Sequence, residues 1–365
     1  MIGLIAVAAS AGAALGATWL AAAREHEKLK LTFLPDEMHW ARTDDGWELP
    51  LGRYLAKGAR AVAEPVILCH GMGANRFNLD LNETYSVARH LARHGFECFV
   101  IELRGSGLAR RWKPGKHYAF RFDDLVTIDL PALIGKAREV AGSERVLWVG
   151  HSKGGVVMYA YCGSADRPEV AGVVAIGSPL ITDDYVPPGM KRAMLALDRL
   201  TFLDAIHLGP PVKALATLAT RVQIPFQYMA RQENMEPEVT GMAMANLLGN
   251  ISTGITRQFA RWIETGRFTS WDGRIDYRAG LAHSKVPFLL IAGTEDLLAP
   301  PSSLEAAREA MVEAREAGLV EYLLCGKETG FSCDYGHGDL VLGRSAPKEI
   351  FPRIEAWLRK RGSRP

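Results

Sequence analysis

The stretch WVGHSKGGVV, residues 148–157, constrains the fold of this chain more than any other segment. An apolar run ends at Val149, and small and apolar residues suited to a helix begin at Gly154. A strand that reverses into a helix within about five residues leaves no room for side chains inside the bend, and Gly150 and Gly154 provide that room. The sequence therefore predicts a sharp strand–turn–helix, called the elbow below, with Ser152 at its apex. The strained backbone conformation of this serine pushes its hydroxyl clear of a sheet.

Apolar strand-like runs alternate with amphipathic helices on both sides of this turn. Predicted strands cover residues 65–71, 96–105, 145–150, 170–179, 285–293 and 319–326, and predicted helices cover residues 83–94, 122–141, 303–317 and 346–361. Residues 38–56 are predicted to form a hairpin that turns at Asp44, Asp45 and Gly46. Nearly continuous apolar strands separated by helices indicate an α/β fold with a mostly parallel, doubly wound sheet covered on both faces.

The alternation breaks between residues 181 and 285, where helical pieces occur without a convincing series of strands. We therefore predict an N-terminal segment over residues 1–30, a first part of the core over 31–180, a helical cap over 181–285 and a second part of the core over 286–365. Six of the eleven methionines fall in the cap. They either fill an irregular helical core or form an adaptable apolar lid over a greasy substrate.

Residues 1–23 carry no charged side chain. As a helix with a rise of about 1.5 Å per residue, this segment could span a hydrocarbon core of about 30 Å. The positive charges at Arg24, Lys28 and Lys30 predict a membrane-anchored protein whose main domain is cytoplasmic. Two alternatives remain open: a secretory signal cleaved near residues 21–23, followed by export, or a helix that stays soluble or peripheral.

Charge and cysteine content narrow the function further. The formal net charge of +2 is too small to create the strong positive potential that attracts nucleic acid, so no nucleic-acid partner is expected. The five cysteines lack metal-like spacing and are predicted to be mostly reduced thiols, although Cys325 and Cys333 could pair across a short loop. His90 and His94 have a spacing compatible with metal ligation, but without the glutamate of a zinc-protease helix a solvated helix face is the preferred interpretation. We expect neither a metal nor an organic cofactor.

The loops after the later strands supply the partners that a reactive serine needs. A serine hydroxyl becomes nucleophilic when a base removes its proton, and the base needs an acid that fixes its tautomer. Asp296 follows the predicted strand 285–293, and His337 stands between two glycines after strand 319–326. We therefore predict a catalytic set of Ser152, Asp296 and His337, in that chain order. Substitutes for Asp296 are Glu295 and the pair at residues 183–184.

Backbone N–H groups are needed where negative charge develops on a substrate oxygen. Lys153 starts the helix after the serine, so its amide is one predicted donor of an oxyanion hole. The loop HGMG, residues 70–73, follows an earlier strand, and the Met72 amide is the second predicted donor. We expect His70 to brace this loop and assign no chemistry to the Lys153 side chain.

The chain from about residue 37 to its end resembles α/β-hydrolase fold proteins of the lipase, esterase and monoacylglycerol-lipase-like branch. The resemblance rests on five segments: HGMG (70–73), ELRGSG (102–107), GHSKGG (150–155), GTEDLLAP (293–300) and YGHGDLVLG (335–343). The order serine, acid, histidine is also the order of that fold. Residues 246–268 resemble the cap segment of bacterial members, some of them related to polyhydroxyalkanoate synthases. Those synthases have cysteine at the elbow, and dehalogenases and epoxide hydrolases of the fold have aspartate, so a serine at residue 152 favours hydrolysis.

This resemblance implies a serine hydrolase that cleaves carboxylic esters through an acyl-enzyme. The apolar N-terminus and the methionine-rich cap favour small lipophilic esters as substrates, a role in lipid metabolism and membrane contact through residues 1–23. An acyltransferase that uses the same residues is the main alternative. Two further alternatives are a peptidase or amidase and a non-catalytic binding member of the fold.

Overall fold

The computed structural model describes residues 29, 31–181, 204–207, 228–312 and 319–365. The predicted N-terminal helix over residues 1–23, the aspartate pair at 183–184 and the two methionines at 190 and 194 lie outside the described residues. Within the described part of the chain, no helix has the length and apolar character needed to cross a membrane.

The described strands form one large sheet and one small pair. They are β1 (Glu37–Arg42), β2 (Trp47–Tyr54), β3 (Val66–Cys69), β4 (Cys98–Ile101), β5 (Arg110–Arg111), β6 (Val146–His151), β7 (Val170–Ile176), β8 (Ala205–Ile206), β9 (Ile251–Ser252), β10 (Phe288–Gly293) and β11 (Val320–Cys325). The large sheet has nine strands in the order β1-β2-β4-β3-β6-β7-β10-β11, and β5 pairs with β2. In this sheet β1, β2 and β5 pair antiparallel with their neighbours, and the pairings along β4-β3-β6-β7-β10-β11 are parallel. The mostly parallel α/β sheet is therefore confirmed.

Helices connect these strands at the predicted places, with shifted ends. They are α1 (Val87–Arg93), α2 (Phe122–Asp124), α3 (Leu130–Ala141), α4 (Lys153–Ser164), α5 (Pro237–Asn246), α6 (Thr253–Thr265), α7 (Tyr277–His283), α8 (Pro301–Val312), α9 (Asp339–Leu342), α10 (Ala346–Glu349) and α11 (Phe351–Arg361). α1 begins four residues after its predicted start because the Ser86 hydroxyl caps it, accepting a hydrogen bond from the Arg89 amide at 3.0 Å. A π-helical turn, Leu125–Asp129, separates α2 from α3.

Both faces of the sheet are covered, as the doubly wound prediction requires. Along β6, Val146 and Trp148 point into one hydrophobic cluster, and Leu147 and Val149 point into the other. This alternation follows from the two-residue period of a strand. Buried residues of α3, α4 and α8 complete the first cluster, and those of α1 and α11 complete the second. The loops that follow the parallel strands meet at the edge of the sheet where the carboxyl ends of these strands lie.

The region predicted as a cap contains α5, α6 and the antiparallel pair β8–β9. Phe259 and Trp262 of α6 pack with Phe122 of α2 in the first cluster. This part of the chain is therefore packed against the first cluster by apolar contacts. All five cysteines are free, and four of them are buried.

Candidate active site

The reversal between β6 and α4 places Ser152 alone between strand and helix. Its backbone has φ 54° and ψ −121°, and it is the one non-glycine residue with positive φ in the described part of the chain. A Cβ on Gly150 would lie 2.2 Å from the carbonyl oxygen of Gly154, and a Cβ on Gly154 would lie 2.3 Å from that of Cys69. Both distances are far below van der Waals contact, so the turn requires glycine at these two positions.

The strained backbone of Ser152 is held by hydrogen bonds on both sides. Its N–H donates to the carbonyl oxygen of Ile176 in β7 at 2.8 Å, and its own carbonyl accepts from the Gly155 amide at 2.9 Å. Positive φ at a non-glycine residue costs of the order of 1–3 kcal/mol and persists only where the surroundings determine it. Strain of this kind at a serine that lines a cavity is typical of a functional position.

His337 and Asp296 form a buried pair at the ends of β11 and β10. Nδ1 of His337 lies 2.8 Å from Oδ2 of Asp296. The other carboxylate oxygen accepts the amides of Leu298 and Ala299 at 2.9 and 2.8 Å. Because a carboxylate only accepts hydrogen bonds, the proton of neutral His337 lies on Nδ1, which leaves Nε2 as a base. Asp296 is thus the acid that holds this histidine, rather than Glu295.

The imidazole of His337 is positioned by two residues that the sequence did not single out. The ring of His151 packs against it with centroids 4.7 Å apart. Gly177, at φ 52°, lies beneath the pair, where an added Cβ would be 3.2 Å from both Nδ1 of His337 and Oδ2 of Asp296. Burial is the main cause that lowers the pKa of His151 to about 3. His151 therefore stays neutral beside the ring that would gain a proton in catalysis.

Asn78 supports the loop that carries Met72. Its Oδ1 accepts the Gly71 amide at 2.8 Å and lies 3.0 Å from Nδ1 of His151. Sequence reasoning missed Asn78, because a single buried asparagine in a short helical turn carries no distinguishing pattern. His70 braces the same loop, as expected: Nδ1–H donates to the Gly71 carbonyl, and Nε2 accepts from the Leu103 amide.

The two predicted oxyanion donors belong to segments next to Ser152. Met72 lines the same cavity as Ser152, and Lys153 is the first residue of α4, where an amide has no intrahelical acceptor. Within the part of the chain that the structure describes, neither amide donates to a backbone carbonyl. The Lys153 side chain is buried, in the field of Cys69 and Asp129, and burial lowers its pKa to about 8.

A cavity of about 300 Å³ opens in front of Ser152 and His337. Its walls are mainly apolar and come from the HGMG loop, the region around α5 and the loop after β11. The lining residues are Gly71, Met72, Ala74, Asn78, His151, Ser152, Met229, Ala230, Gln232, Met235, Thr240, Ala243, Met244, Leu247, Leu248, His337, Gly338 and Leu342. Three methionines of the predicted cap line it, whereas Met242 packs against the second core cluster. Met235 is also a buried member of the second core cluster, so lining the cavity and filling the core are not separate roles for it.

Asp339 connects the histidine loop to the cap. Its Oδ1 accepts the Arg231 amide at 3.0 Å, and its Oδ2 accepts the Gly336 amide at 2.9 Å and the Asn234 side chain at 2.6 Å. The loop that carries His337 is therefore tied directly to the segment that walls the cavity.

A possible metal-binding group occurs elsewhere in the described residues. His90, His94 and Glu355 bring three ligand atoms within 4.8 Å of one another. None of the three lines the cavity in front of Ser152.

Known proteins are similar to this chain over most of its length. The profile described as "alpha/beta hydrolase fold" matches residues 64–321. Lipase member K of Homo sapiens is 25% identical to this chain over 358 residues, which cover 87% of this chain and 86% of that protein.

Solved structures extend the likeness to the whole fold. A soluble variant of monoglyceride lipase from Saccharomyces cerevisiae, in complex with a substrate analogue, has a TM-score of 0.61 at 16% identity, covering 92% of this chain and 97% of that chain. A thermophilic esterase from Thermogutta terrifontis has a TM-score of 0.60 at 19% identity, covering 90% of this chain and 100% of that chain. At these identities the likeness concerns the fold alone.

Proposed function

Because this chain belongs to the alpha/beta hydrolase fold family and is a carboxylic ester hydrolase, we propose that it cleaves lipophilic esters with Ser152, His337 and Asp296 as its catalytic residues. One observation carries the proposal: a serine with φ 54° and a buried histidine–aspartate pair meet at the same apolar cavity. The similar proteins named as lipases and esterases support the same reaction class.

The first half of the proposed reaction forms an acyl-enzyme. Oγ of Ser152 attacks the ester carbonyl carbon while Nε2 of His337 takes the hydroxyl proton. Asp296 keeps the imidazolium oriented and balances its charge through the hydrogen bond to Nδ1. The amides of Met72 and Lys153 donate to the oxyanion of the tetrahedral intermediate. The intermediate then collapses, and the leaving alcohol takes the proton from His337.

The second half releases the acid. A water molecule gives its proton to Nε2 of His337 and attacks the acyl carbon. The second tetrahedral intermediate is held by the same two amides, and it expels the Ser152 oxygen, which recovers the proton. Residues of this chain perform every proton transfer, so the proposed cycle closes with the enzyme in its starting state.

The walls of the cavity support lipophilic acyl chains as substrates. Met229, Met235 and Met244 line it together with leucine and alanine side chains. Methionine side chains are flexible and adapt to irregular apolar ligands. Each methylene of an acyl chain that leaves water for the cavity contributes about 0.8 kcal/mol of favourable free energy. kcat/KM therefore rises with chain length until the cavity is filled.

Hydrolysis of p-nitrophenyl acetate, butyrate, octanoate and palmitate tests this proposal. We expect activity to rise with chain length and to fall at least about 10⁴-fold in Ser152→Ala. Ser332→Ala, an exposed serine before His337, is the matched control and keeps wild-type rates. Undiminished activity in Ser152→Ala would contradict the assigned nucleophile. Activity on acetate alone would contradict the lipophilic substrate class, and acyl transfer to an added alcohol without hydrolysis would favour the acyltransferase alternative.

We also propose that residues 1–23 hold the cavity close to a membrane, with the domain on the cytoplasmic side. Asn246, at the end of α5, donates to the Leu29 carbonyl at 2.7 Å and accepts the Leu31 amide at 2.9 Å. The chain that follows the apolar segment is therefore fastened to the helix that walls the cavity, which supports delivery of lipid from that side.

Flotation of the full chain with phospholipid vesicles tests the membrane proposal. We expect wild type to float and Leu15→Arg, which puts a charge in the middle of the apolar segment, to remain largely in the dense fraction. Leu34→Arg, at an exposed leucine outside that segment, is the control and floats like wild type. Equal flotation of wild type and Leu15→Arg would count against anchoring by this segment.

A further inference from the structure

We propose that His90, His94 and Glu355 form a binding site for one Zn²⁺ ion, separate from the ester-hydrolysing site. His90 lies on α1, His94 directly follows that helix, and Glu355 lies on α11. The two helices pack together on the second face of the sheet, where His90 also contacts the ring of Phe351. The ion would thus join two elements that are far apart in the sequence.

The ligand atoms already have the spacing of a coordination shell. Nε2 of His90 lies 3.3 Å from Oε2 of Glu355, and Nδ1 of His94 lies 3.7 Å from the same oxygen. Ligands placed tetrahedrally at about 2.0–2.2 Å from Zn²⁺ are about 3.3–3.6 Å apart. Two of the three distances between ligand atoms are therefore close to those of a shared ion, and all three atoms lie within 4.8 Å of one another.

The contacts of the group orient its ligand atoms toward one another. Nε2 of His90 is buried and faces the Glu355 carboxylate at 3.3 Å. Arg359 donates to Oε1 of Glu355 at 2.9 Å, which orients the carboxylate and leaves Oε2 facing the histidines. Groups that orient a ligand in this way are common around metal sites.

His94 completes the set at the exposed side of the site. In the structure its Nδ1 donates to the His90 carbonyl at 2.8 Å. Binding through this nitrogen replaces the hydrogen bond with a metal–ligand bond, and His94 has the solvent access needed for that exchange. Two imidazoles and one carboxylate form a donor set that suits Zn²⁺ better than Mg²⁺ or Ca²⁺, which prefer all-oxygen shells. A water molecule would be the fourth ligand.

Charged side chains of both signs lie near the group. Glu355 provides one negative charge, and Arg93 and Arg359 are the neighbouring cations. The sequence favoured a solvated helix face because the third ligand lies on a distant helix, which only the fold brings alongside.

Isothermal titration of the full chain with ZnCl₂ at pH 7.5, after removal of metals with EDTA, tests the site. We expect one Zn²⁺ per chain in wild type, and at least about tenfold weaker binding in His94→Ala and Glu355→Gln. His39→Ala is the matched control, because His39 also pairs with a glutamate, Glu37, at 2.9 Å but has no third ligand. It keeps wild-type affinity.

Two results would overturn the proposal: no heat of binding in wild type at about 1 mM Zn²⁺, or equal affinity in wild type, His94→Ala and Glu355→Gln. The melting temperature of each metal-free variant shows whether it is folded. A second readout is independent of affinity: saturating Zn²⁺ raises the melting temperature of wild type and of His39→Ala, and not that of His94→Ala, because the ion binds the folded state.

Discussion

At the residue scale, the proposed chemistry depends on how Asp296 is held. Its two oxygens accept one bond from His337 and two from backbone amides, so the carboxylate has little freedom to turn. The adjacent Glu295 is directed elsewhere, since its carboxylate pairs with Arg231 at 2.9 Å and is about half exposed. Two neighbouring acids therefore have different surroundings, and only one of them contacts the histidine.

Asp296→Asn tests this assignment. The amide keeps the shape of the side chain but removes the charge and permits the wrong tautomer of His337, so we expect kcat for an ester to fall about 10³–10⁴-fold with little change in fold. Glu295→Gln, one residue away, is the matched control and keeps kcat within about twofold. Equal losses in both variants, measured with the same ester, would contradict the assignment of the acid.

Lys153→Met tests whether the backbone of this residue, rather than its side chain, serves the reaction. The substitution retains the amide that we propose as an oxyanion donor and removes a buried ammonium. We expect kcat/KM for a p-nitrophenyl ester to stay within about threefold of wild type. A loss of 10²-fold or more in a folded variant would show that the side chain takes part.

The same substitution changes how stability depends on pH. Burial lowers the pKa of Lys153 to about 8 in the folded state, against 10.5 for an unperturbed lysine. Between these two values the unfolded chain binds the proton and the folded chain does not, so the free energy of unfolding rises with pH. From about pH 7 to 9.5, wild type gains about 2 kcal/mol relative to Lys153→Met in urea denaturation. A difference that is constant with pH would contradict this.

At the element scale, the elbow is a contact between a helix and two strands. α4 approaches the end of β3 so closely that Gly154 has no room for a side chain, because its Cβ would lie 2.3 Å from the Cys69 carbonyl oxygen. The backbone of β3 cannot move away, since β4 and β6 flank it on both sides. The glycine is thus required by packing between elements, and the position of Ser152 follows from that packing.

Gly154→Ala tests the elbow as a structural unit. We expect the free energy of unfolding to fall by at least about 3 kcal/mol, because backbone atoms must shift. Gly135→Ala in α3 is the matched control: an added Cβ there meets no atom within 4 Å, and the substitution stabilises by about 0.5–1 kcal/mol. Urea denaturation compares the two. Similar changes in both variants would contradict the packing argument.

At the scale of the whole molecule, the site forms because parallel strands end at one edge. Ser152 follows β6, Asp296 follows β10 and His337 follows β11, and in the sheet only β7 separates β6 from β10. Arg104, in the loop that follows β4, forms a buried ion pair with Asp129, to which its Nε donates at 2.8 Å. Its guanidinium also donates to Asp45 at 2.7 Å. This network joins the β4 loop, the π-helical turn and the first hairpin.

The sequence predicted best those elements whose formation depends on residues that are neighbours along the chain. The strand–turn–helix at Ser152 follows from two glycines within five residues, and the parallel sheet follows from continuous apolar runs. Element ends were less accurate, because a cap such as Ser86 depends on one hydrogen bond. The order of Ser152, Asp296 and His337 along the chain could be read because each residue follows its own strand.

The sequence by itself thus determined the fold class, the elbow and the three residues proposed for catalysis, since periodicity and glycine sterics act over a few neighbouring residues. Only the tertiary structure decided which residues support them. Asn78 meets His151, Gly177 lies beneath His337, and Glu355 lies beside His90, in each case across long separations along the chain. Such contacts depend on how strands and helices pack, and no local pattern encodes them.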